Sequence, residues 1–198
     1  DEKRLTGPVE KATMPPALPP KDLARLNVLY EDDWLMAVHK PSGMAVHPGS
    51  GIRGGTLVDY VRAYLGPKAT RNDFSASPAH RLDRDTSGVV LVAKRRPAMV
   101  HFTDVFTHGQ AKKRYLVLVK GTLADDKGVI DLPLSEHQQT AQSKAARGVN
   151  FQKAVTRYVV LGRTAACTYL ECVIETGRTH QIRRHLVAIG HPVVADRR

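Results

Sequence analysis

A short stretch at positions 80 to 88, HRLDRDTSG, places two arginines and two aspartates close together. Arg81 and Arg84 alternate with Asp83 and Asp85, and the apolar run VVLVA that follows predicts a buried strand. On an open surface such charge pairs contribute little to stability. A turn in which Asp85 and its neighbours bond nearby backbone amides explains part of the stretch. It leaves Arg81 and Asp83 unexplained, so these two residues are the first candidates for chemistry.

A second group of charges lies in ETGRTHQIRRHL, which contains Arg178, Arg183 and Arg184. The simplest interpretation is an exposed basic helix face, which needs no function. Arg183, however, directly follows the core-facing Ile182. If Arg183 turns inward it needs an acidic partner, because an unpaired buried charge is very costly. Asp83 is the partner that we expect.

Three glycines in PGSGIRGG match the dinucleotide-binding pattern G-x-G-x-x-G before a helix. That pattern has meaning only inside a βαβ unit whose second strand ends in an acidic residue. Here the helix runs into TRNDFSASP instead. We therefore expect a mobile loop, whose backbone amides and Arg53 contact at most a phosphate.

The nine histidines invite a metal interpretation, above all His180, His185 and His191 near Asp196. His180 and His185 are five positions apart, whereas i, i+4 spacing is what puts two imidazoles on one helix face. No cysteine pair completes a ligand set. We expect no metal site, which disfavours a metal-dependent hydrolase. The sequence also lacks the G-x-S-x-G motif that would carry a catalytic serine.

The elements that must position these residues follow from periodicity. Residues 1 to 26 are rich in proline and lack an apolar period, so they predict an arm or linker, with the folded domain spanning 27 to 198. Strands are expected at 34 to 40 and 89 to 94, and a helix at 56 to 66. The predicted buried face of that helix consists of Leu57, Val58, Val61, Tyr64 and Leu65.

Further along the chain, residues 97 to 108 predict a helix that Gly109 ends. Three strands are expected in YLVLVKG, AVTRYVVLGR and CTYLECVIE. A last helix is expected at 179 to 190, with Thr179 as N-cap and Gly190 in the left-handed C-terminal position. The clustering of strands predicts an α+β fold with a mixed, mainly antiparallel sheet and flanking helices.

Composition limits the class of protein. The chain has 198 residues, 42% of them hydrophobic, which suits one ordinary domain, and 30 Lys and Arg against 19 Asp and Glu give a net charge of +11. That charge favours a polyanionic partner such as nucleic acid. Cys167 and Cys172 are five apart in a predicted strand, so they face opposite sides and form no disulfide. We expect a cytoplasmic protein with no membrane role.

Four segments together resemble the motif set of the RluA-type RNA pseudouridine synthases. The segments occur in that family's order and span most of residues 26 to 196. They are VHKPSGMAVHPG (38 to 49), HRLDRDTSG (80 to 88), KKRYLVLVKG (112 to 121) and TGRTHQIRRHLVAIGHPVVAD (176 to 196).

The resemblance implies isomerisation of selected uridines in tRNA or large-subunit rRNA, without metal or cofactor, in a fold with a central catalytic cleft. The family's essential aspartate falls on Asp83, its tyrosine on Tyr115 and its site arginine on Arg183. The arginine that helps turn the uridine out of the RNA falls on Arg81. Further RNA contacts are expected from Arg84, Lys113, Arg178, His180 and Arg184.

This chemistry accounts for the charged residues in the stretch from 80 to 88. The base must leave its stack before its bond to the sugar is broken, so Arg81 would fill the vacated space by stacking and phosphate contact. Asp83 would act on the extruded nucleoside, either as a nucleophile at C1′ or as a base at C2′. Tyr115 would stack on the uracil and assist loss of the C5 proton. An ion pair with Arg183 would keep Asp83 ionised.

The sequence departs from the family pattern in two places. Many members begin with a small S4-type RNA-binding domain, whereas this chain begins with the proline-rich arm. We therefore expect the catalytic domain's own basic surface to bind RNA. Members also continue beyond the G-H-P segment with Gly-Asp and Tyr-Gly, whereas here Ala195-Asp196 precedes two final arginines. This predicts a C-terminus that is short, naturally or by truncation.

Two interpretations share this scaffold. A non-catalytic RNA-binding or RNA-folding factor is the alternative to an enzyme, but such a factor would not require Asp83, Tyr115 and Arg183 together. The missing S4-type segment and the residues RRHL at 183 to 186 favour tRNA over rRNA as the target. In either case we expect RNA as the partner of a monomeric protein.

Overall fold

A computed structural model describes residues 25–49, 51–52, 54–135 and 150–196. The contacts of the chain divide into two compact units, one from Asp1 to Thr103 and the other from Asp104 to Arg198. Nearly all of the predicted proline-rich arm lies outside the described residues, as does Arg53. No helix in the described ranges is long and apolar enough to span a membrane.

The first unit is built on an antiparallel sheet in the order β1-β2-β6-β5. Its elements are β1 (Asn27–Glu31), β2 (Leu35–Lys40), α1 (Leu57–Leu65), a 3₁₀ turn (Gly66–Ala69), β3 (Thr70–Arg71), β4 (Phe74–Ser75), β5 (Ser77–Pro78), β6 (Gly88–Ala93) and α2 (Arg96–Thr107). Helix α2 begins in this unit and ends in the second.

Strands β2 and β6 form the centre of this sheet, between β1 and β5, and their side chains largely alternate between buried and more exposed positions. Met36 and Val38 of β2 are fully buried, as are Val90 and Val92 of β6. The next inward position on β2 after Val38 is Lys40, and it too is fully buried. A lysine at the end of a buried row needs hydrogen-bond acceptors around it.

Helix α1 is anchored at its N-terminus by a carboxylate and by a neighbouring loop. The Asp59 carboxylate accepts bonds from the backbone N–H of Thr56 at 2.9 Å and from its hydroxyl at 2.8 Å.

The predicted buried face of helix α1 is wrong at one position. Tyr64 is 46% exposed and donates its hydroxyl to Glu31, whereas Tyr60 is buried. Tyr60 and Tyr64 are four positions apart and lie near the same helix face, and the ring of Tyr60 is the one that the core takes up.

The second unit contains an antiparallel sheet in the order β7-β12-β11-β8, with one helix packed on it. Its elements are β7 (Lys113–Lys120), β8 (Lys127–Asp131), β9 (Leu134–Ser135), β10 (Phe151–Gln152), β11 (Val155–Arg163), β12 (Cys167–Ile174) and α3 (Gln181–Ala188). The core of this unit holds Val119, Leu123, Ile130, Tyr158, Leu170, Cys172 and Leu186.

The start of α3 differs from the prediction. Thr179 is not the N-cap, because the helix begins at Gln181 and His180 precedes it in the left-handed conformation at φ 54°. The bond that a threonine cap would have made is absent, and the Gln181 side chain instead accepts a bond from the Arg178 N–H at 3.1 Å. Gly190 has φ 84°, which confirms the predicted left-handed residue after the helix.

The predicted strands and helices are otherwise confirmed within one or two residues, and so is the α+β class with mostly antiparallel sheets. Cys167 is half-buried and Cys172 is buried, and both are free. Burial raises the pKa of the Cys172 thiol to about 12. This thiol is therefore an apolar packing group at neutral pH.

Candidate active site

Asp83 lies on the loop that enters β6, and a buried leucine anchors that loop. Leu82 is only 9% exposed, whereas its neighbours Arg81 and Asp83 are exposed and half-buried respectively. Gly88 follows at φ +142°, with the Leu82 side chain 3.5 Å from the place where a Cβ would stand. The alternation of one apolar anchor with two charged neighbours directs Arg81 and Asp83 away from the core.

Lys40 holds this loop from beneath. Its Nζ donates to the carbonyl oxygens of Met44 at 2.8 Å, Pro41 at 3.0 Å and Arg84 at 3.0 Å. All three ammonium protons are therefore used, and each satisfies a carbonyl that helix or sheet does not pair. The bond to Arg84 joins two segments that are 44 positions apart in the chain. Lys40 thereby fixes the backbone next to Asp83.

The charge of Lys40 also acts on the loop. Burial lowers the pKa of the Lys40 ammonium, and the carboxylates of Asp85 and Asp83 partly oppose that shift. An ammonium held in this position attracts the Asp83 carboxylate. Sequence reasoning missed this residue, although it lies in the HKPSG segment of the family resemblance. The signal for Lys40 in the sequence is that a lysine occupies the last inward position of a strand whose other inward residues are apolar.

Two further contacts fasten the same loop. The backbone N–H of Gly43 donates to the Arg84 carbonyl at 2.9 Å, and the Ser42 hydroxyl donates to the Asp85 carbonyl at 2.8 Å. The predicted RNA contact Arg84 is exposed and its guanidinium bonds both carboxylate oxygens of Asp85, at 3.0 and 3.3 Å. Arg84 and Asp85 thus form a surface ion pair at the turn.

In the second unit, Tyr115 and Lys113 lie two positions apart on β7 and share the face of the sheet that carries α3. Tyr115 is half-buried, pairs in register with Cys172 and packs against the core cluster, as does Ile182 of α3. The Lys113 Nζ lies 3.5 Å from the Thr176 carbonyl, and burial lowers its pKa. The structure therefore brings Tyr115 and Lys113 to the loop that precedes α3.

Arg183 is turned inward, as predicted, but the structure supplies an acidic partner that the sequence analysis did not choose. Its Nε and Nη2 donate to the two oxygens of Asp196 at 2.5 and 2.6 Å. The side chains of Arg183 and Asp196 are only 20% and 16% exposed. Such a bidentate pair fixes both the position and the plane of the guanidinium. The predicted contact of Arg183 with Asp83 joins the two units and stays a prediction.

Asp196 is positioned by pairing of the chain end with β7. The Lys120 N–H donates to the Pro192 carbonyl at 2.9 Å, and the Val194 N–H donates to the Leu118 carbonyl at 2.8 Å. Ala195 then adopts φ 61°, a left-handed conformation that is rare for alanine. This strand-like segment with its sharp turn delivers the carboxylate to Arg183.

A buried glutamine organises the loop that carries Arg178 and His180. Gln181 is 3% exposed, and its Oε1 accepts from the Thr176 hydroxyl at 2.7 Å and from the Arg178 N–H. Its Nε2 donates to the Val155 carbonyl at 2.9 Å and to the Thr156 hydroxyl at 3.1 Å. All four hydrogen-bonding positions of the amide are therefore used, which holds the loop to β11.

His185 continues this network and is a structural residue. It is fully buried, with Nε2 at 3.0 Å from the Leu132 carbonyl and Nδ1 at 2.9 Å from the Thr156 hydroxyl. A carbonyl only accepts, so Nε2 carries the proton and Nδ1 accepts from Thr156, which in turn accepts from Gln181. The described residues gather no three potential metal ligands at this or any other place.

We expect His185 to make the protein sensitive to acid. Burial lowers its pKa below 6.5, so the unfolded chain takes up this proton at a higher pH than the folded chain. The free energy of unfolding is therefore highest above pH 6.5 and falls as the pH drops toward the folded-state pKa. His185→Gln keeps a donor and an acceptor without a titrating ring, and should flatten this part of the curve. Urea unfolding at a series of pH values measures it, and an unchanged slope would contradict the assignment.

The site residues of the resemblance thus fall into two groups. Arg81, Asp83 and Arg84 lie on one loop of the first unit, above Lys40. The others lie in the second unit, around β7 and the start of α3, and are Lys113, Tyr115, Arg178, His180, Arg183 and Arg184. The first group contains a carboxylate and guanidinium groups on a loop held by Lys40, and the second contains an aromatic ring and a guanidinium oriented by Asp196. Such side chains suit acid and base chemistry on a polar substrate.

Comparison with known proteins defines the class. The family model of the RNA pseudouridylate synthases matches residues 34–188, which include the loop of Asp83, strand β7 and helix α3. The chain belongs to this family. The resemblance seen in the four sequence segments is thereby confirmed.

Individual relatives agree with that assignment. The chain is similar to the ribosomal large subunit pseudouridine synthase D of Nitrosomonas europaea, at 41% identity over 171 residues, covering 86% of this chain and 48% of the relative. It is also similar to the ribosomal large subunit pseudouridine synthase C of Vibrio cholerae, at 37% identity, covering 96% of this chain and 58% of the relative. The chain thus spans about half the length of the curated relatives that it matches.

A solved structure supports the fold. Human RNA pseudouridylate synthase domain containing 4 superposes with a TM-score of 0.70 at 26% identity, covering 89% of this chain and 69% of that chain. The α+β architecture with mainly antiparallel sheets is therefore that of a pseudouridylate synthase.

Proposed function

We propose that this protein isomerises uridine to pseudouridine in RNA. The observation that carries the proposal is the loop of Asp83, where the buried ammonium of Lys40 bonds the backbone carbonyl next to this carboxylate and Arg81 is exposed two positions before it. Membership of the RNA pseudouridylate synthase family supports the proposal. RNA is a polyanion, and the net charge of +11 suits it.

The reaction begins with extrusion of the target base. A uridine inside a helix cannot expose its glycosidic bond, so it must leave its stack, which costs a few kcal/mol. Arg81 is exposed and adjacent to the anchored Leu82, so its planar guanidinium can occupy the vacated space and contact phosphate. We assign base flipping to Arg81.

Asp83 acts on the extruded nucleoside. As a nucleophile it would attack C1′ and release uracil with its electron pair on N1, and as a base it would remove the C2′ proton to give a glycal. In both routes uracil is released, rotates and bonds through C5 to C1′. In the first route this breaks the bond between C1′ and Asp83, and in the second the removed proton returns to C2′. The C5 proton leaves and N1 gains a proton, so the product is an isomer of the substrate. Both routes use the carboxylate of Asp83, which the positive charge of Lys40 attracts.

Tyr115 and Arg183 complete the proposed site. Tyr115 is half-buried against the core cluster, so its ring can offer one face to the uracil while its hydroxyl assists loss of the C5 proton. The guanidinium of Arg183 is oriented by Asp196 and stabilises the negative charge of Asp83 or of the released uracil. These side chains supply acid, base and charge stabilisation, and we propose that no metal or cofactor takes part.

The names of the relatives bear on the choice of RNA. Both curated relatives described above are named for the ribosomal large subunit. We therefore propose large-subunit rRNA as the substrate, in place of the tRNA that the sequence alone favoured. We further propose a monomer working in the cytoplasm, which the two free cysteines support.

Tritium release tests the proposed function. Uridine labelled at C5 loses its tritium to water only when C5 bonds to the sugar, so release reports the isomerisation itself. Separate large-subunit rRNA and tRNA fractions from cells that lack the protein should be incubated with it in chelator. Release from the rRNA fraction is expected, and release from tRNA alone would correct the substrate. Folded protein that binds both fractions without release would indicate a non-catalytic RNA-binding factor.

A further inference from the structure

A polar groove lies in the second unit, on the side where α3 begins. Its volume is about 280 Å³. One wall is the short antiparallel pair of β9 and β10, and the other is the loop before α3. The lining residues are Leu134, Ser135, Gln152, Gly177, Arg178 and Thr179.

One arginine lines this groove, and a second bonds to the lining residue Ser135. Arg178 is exposed and donates its Nε to the Lys153 carbonyl at 3.1 Å. Arg184 is half-buried and donates to the Ser135 carbonyl at 2.8 Å and to the Ser135 hydroxyl at 3.1 Å. Within the described part of the chain, neither guanidinium has a carboxylate partner; both bond neutral oxygens. Their charges are therefore not cancelled locally, and an anion in the groove would be attracted.

The wall that carries Arg178 is rigid before any ligand arrives. Gln181 ties the Arg178 backbone to Thr176 and to β11, and His180 holds its left-handed conformation at φ 54°. Such a backbone conformation in a non-glycine residue often marks a functional position. A preorganised guanidinium loses little entropy when it binds.

We propose that this groove binds one backbone phosphate of the RNA. The proposal rests on the proposed function and adds a site to it. The guanidinium of Arg178 matches two phosphate oxygens. The volume lies just below the roughly 300 to 1,000 Å³ of typical small-molecule sites, which suits a phosphate with its sugar and not a larger cofactor. The groove is lined by neither Asp83 nor Tyr115, and we assign to it a nucleotide other than the one that reacts.

The first test compares two arginine variants in the full chain. Arg178→Gln removes the proposed contact. Arg157→Gln removes the same charge from the opposite face of the sheet, because Arg157 follows the inward Thr156 on β11 and pairs with Glu175 at 2.7 Å. The affinity for a fluorescein-labelled stem-loop of large-subunit rRNA is measured by anisotropy over a range of KCl concentrations.

Arg178→Gln should lower the salt dependence of log Kd by about 1 and weaken binding roughly three- to tenfold at moderate salt. Arg157→Gln should change neither by more than about a third of that amount. Equal effects in the two variants would indicate general charge only and overturn the proposal. Unchanged binding by Arg178→Gln would overturn it as well, whereas wild type that fails to bind RNA at all would instead refute the proposed function.

A methylphosphonate scan of the same stem-loop locates the phosphate. Replacing one phosphate with a neutral methylphosphonate should weaken wild-type binding at a single position without weakening binding of Arg178→Gln there. A merely structural role of Arg178 would leave both proteins equally sensitive, and this outcome would reject the site. Inorganic phosphate at matched ionic strength should not compete with the RNA, and competition would show that the groove prefers the free ion.

Discussion

Asp83→Asn should reduce tritium release from rRNA by more than about 10³-fold, because the amide neither attacks carbon nor accepts a proton at neutral pH. RNA affinity should stay within about threefold, since one carboxylate contributes little to an interface dominated by phosphate contacts. Release is measured under single-turnover conditions, and affinity by anisotropy. The melting temperature should be nearly unchanged, because Asp83 is only half-buried.

Asp85→Asn is the matched control for this prediction. Asp85 lies two positions away on the same loop, carries the same charge and pairs at the surface with Arg84. The Ser42 bond uses the Asp85 backbone carbonyl, so the substitution leaves it intact. We expect this variant to keep most of the activity. Similar losses in both variants would show that the loop needs negative charge in general, and the catalytic assignment of Asp83 would be wrong.

Lys40→Met should have the second largest effect, and on stability as well as on activity. Methionine fills a similar volume but leaves the carbonyls of Pro41 and Met44 without the Lys40 donor, and the Arg84 carbonyl with the Gly43 N–H alone. An unsatisfied buried acceptor costs about 1 to 3 kcal/mol, and removal of a buried charge offsets part of the loss. We expect a net loss of about 2 to 4 kcal/mol, which lowers the melting temperature by roughly 5 to 15 °C in a chain of this size.

The effect of Lys40→Met on turnover separates positioning from simple stability. At a temperature where the variant is fully folded, the rate of tritium release should still fall about tenfold or more, since the Lys40 ammonium no longer holds the Arg84 carbonyl next to Asp83. RNA affinity should change little. Lys127→Met, at an exposed position of β8, is the control and should match wild type. A folded Lys40→Met protein with full activity would mean that Lys40 serves the fold alone.

Several parts of this protein were determined by short stretches of sequence. The alternation of residues 35 to 40 and the apolar run after Gly88 specified β2 and β6, and the period of residues 57 to 65 specified α1. These patterns need only a few neighbouring residues, because strand and helix geometry repeat every two or 3.6 positions. The motif around Asp83 was equally visible, since its charges lie next to each other in the chain.

Tertiary structure alone decided which distant groups meet. The Lys40 ammonium bonds the Arg84 carbonyl, 44 positions away, and residue spacing does not reveal this contact. It exists because β2 and β6 pair in one register. Asp196 reaches Arg183 only because the chain end pairs with β7.

The start of α3 shows the same division. Local preference favoured Thr179 as a cap, but the Gln181 amide bonds Val155 and Thr156, which are 26 and 25 positions away, and the helix begins where those bonds allow. Sequence periodicity thus determined the elements and the candidate residues. The hydrogen bonds that hold those residues in place depend on strand pairing and burial, which no local pattern encodes.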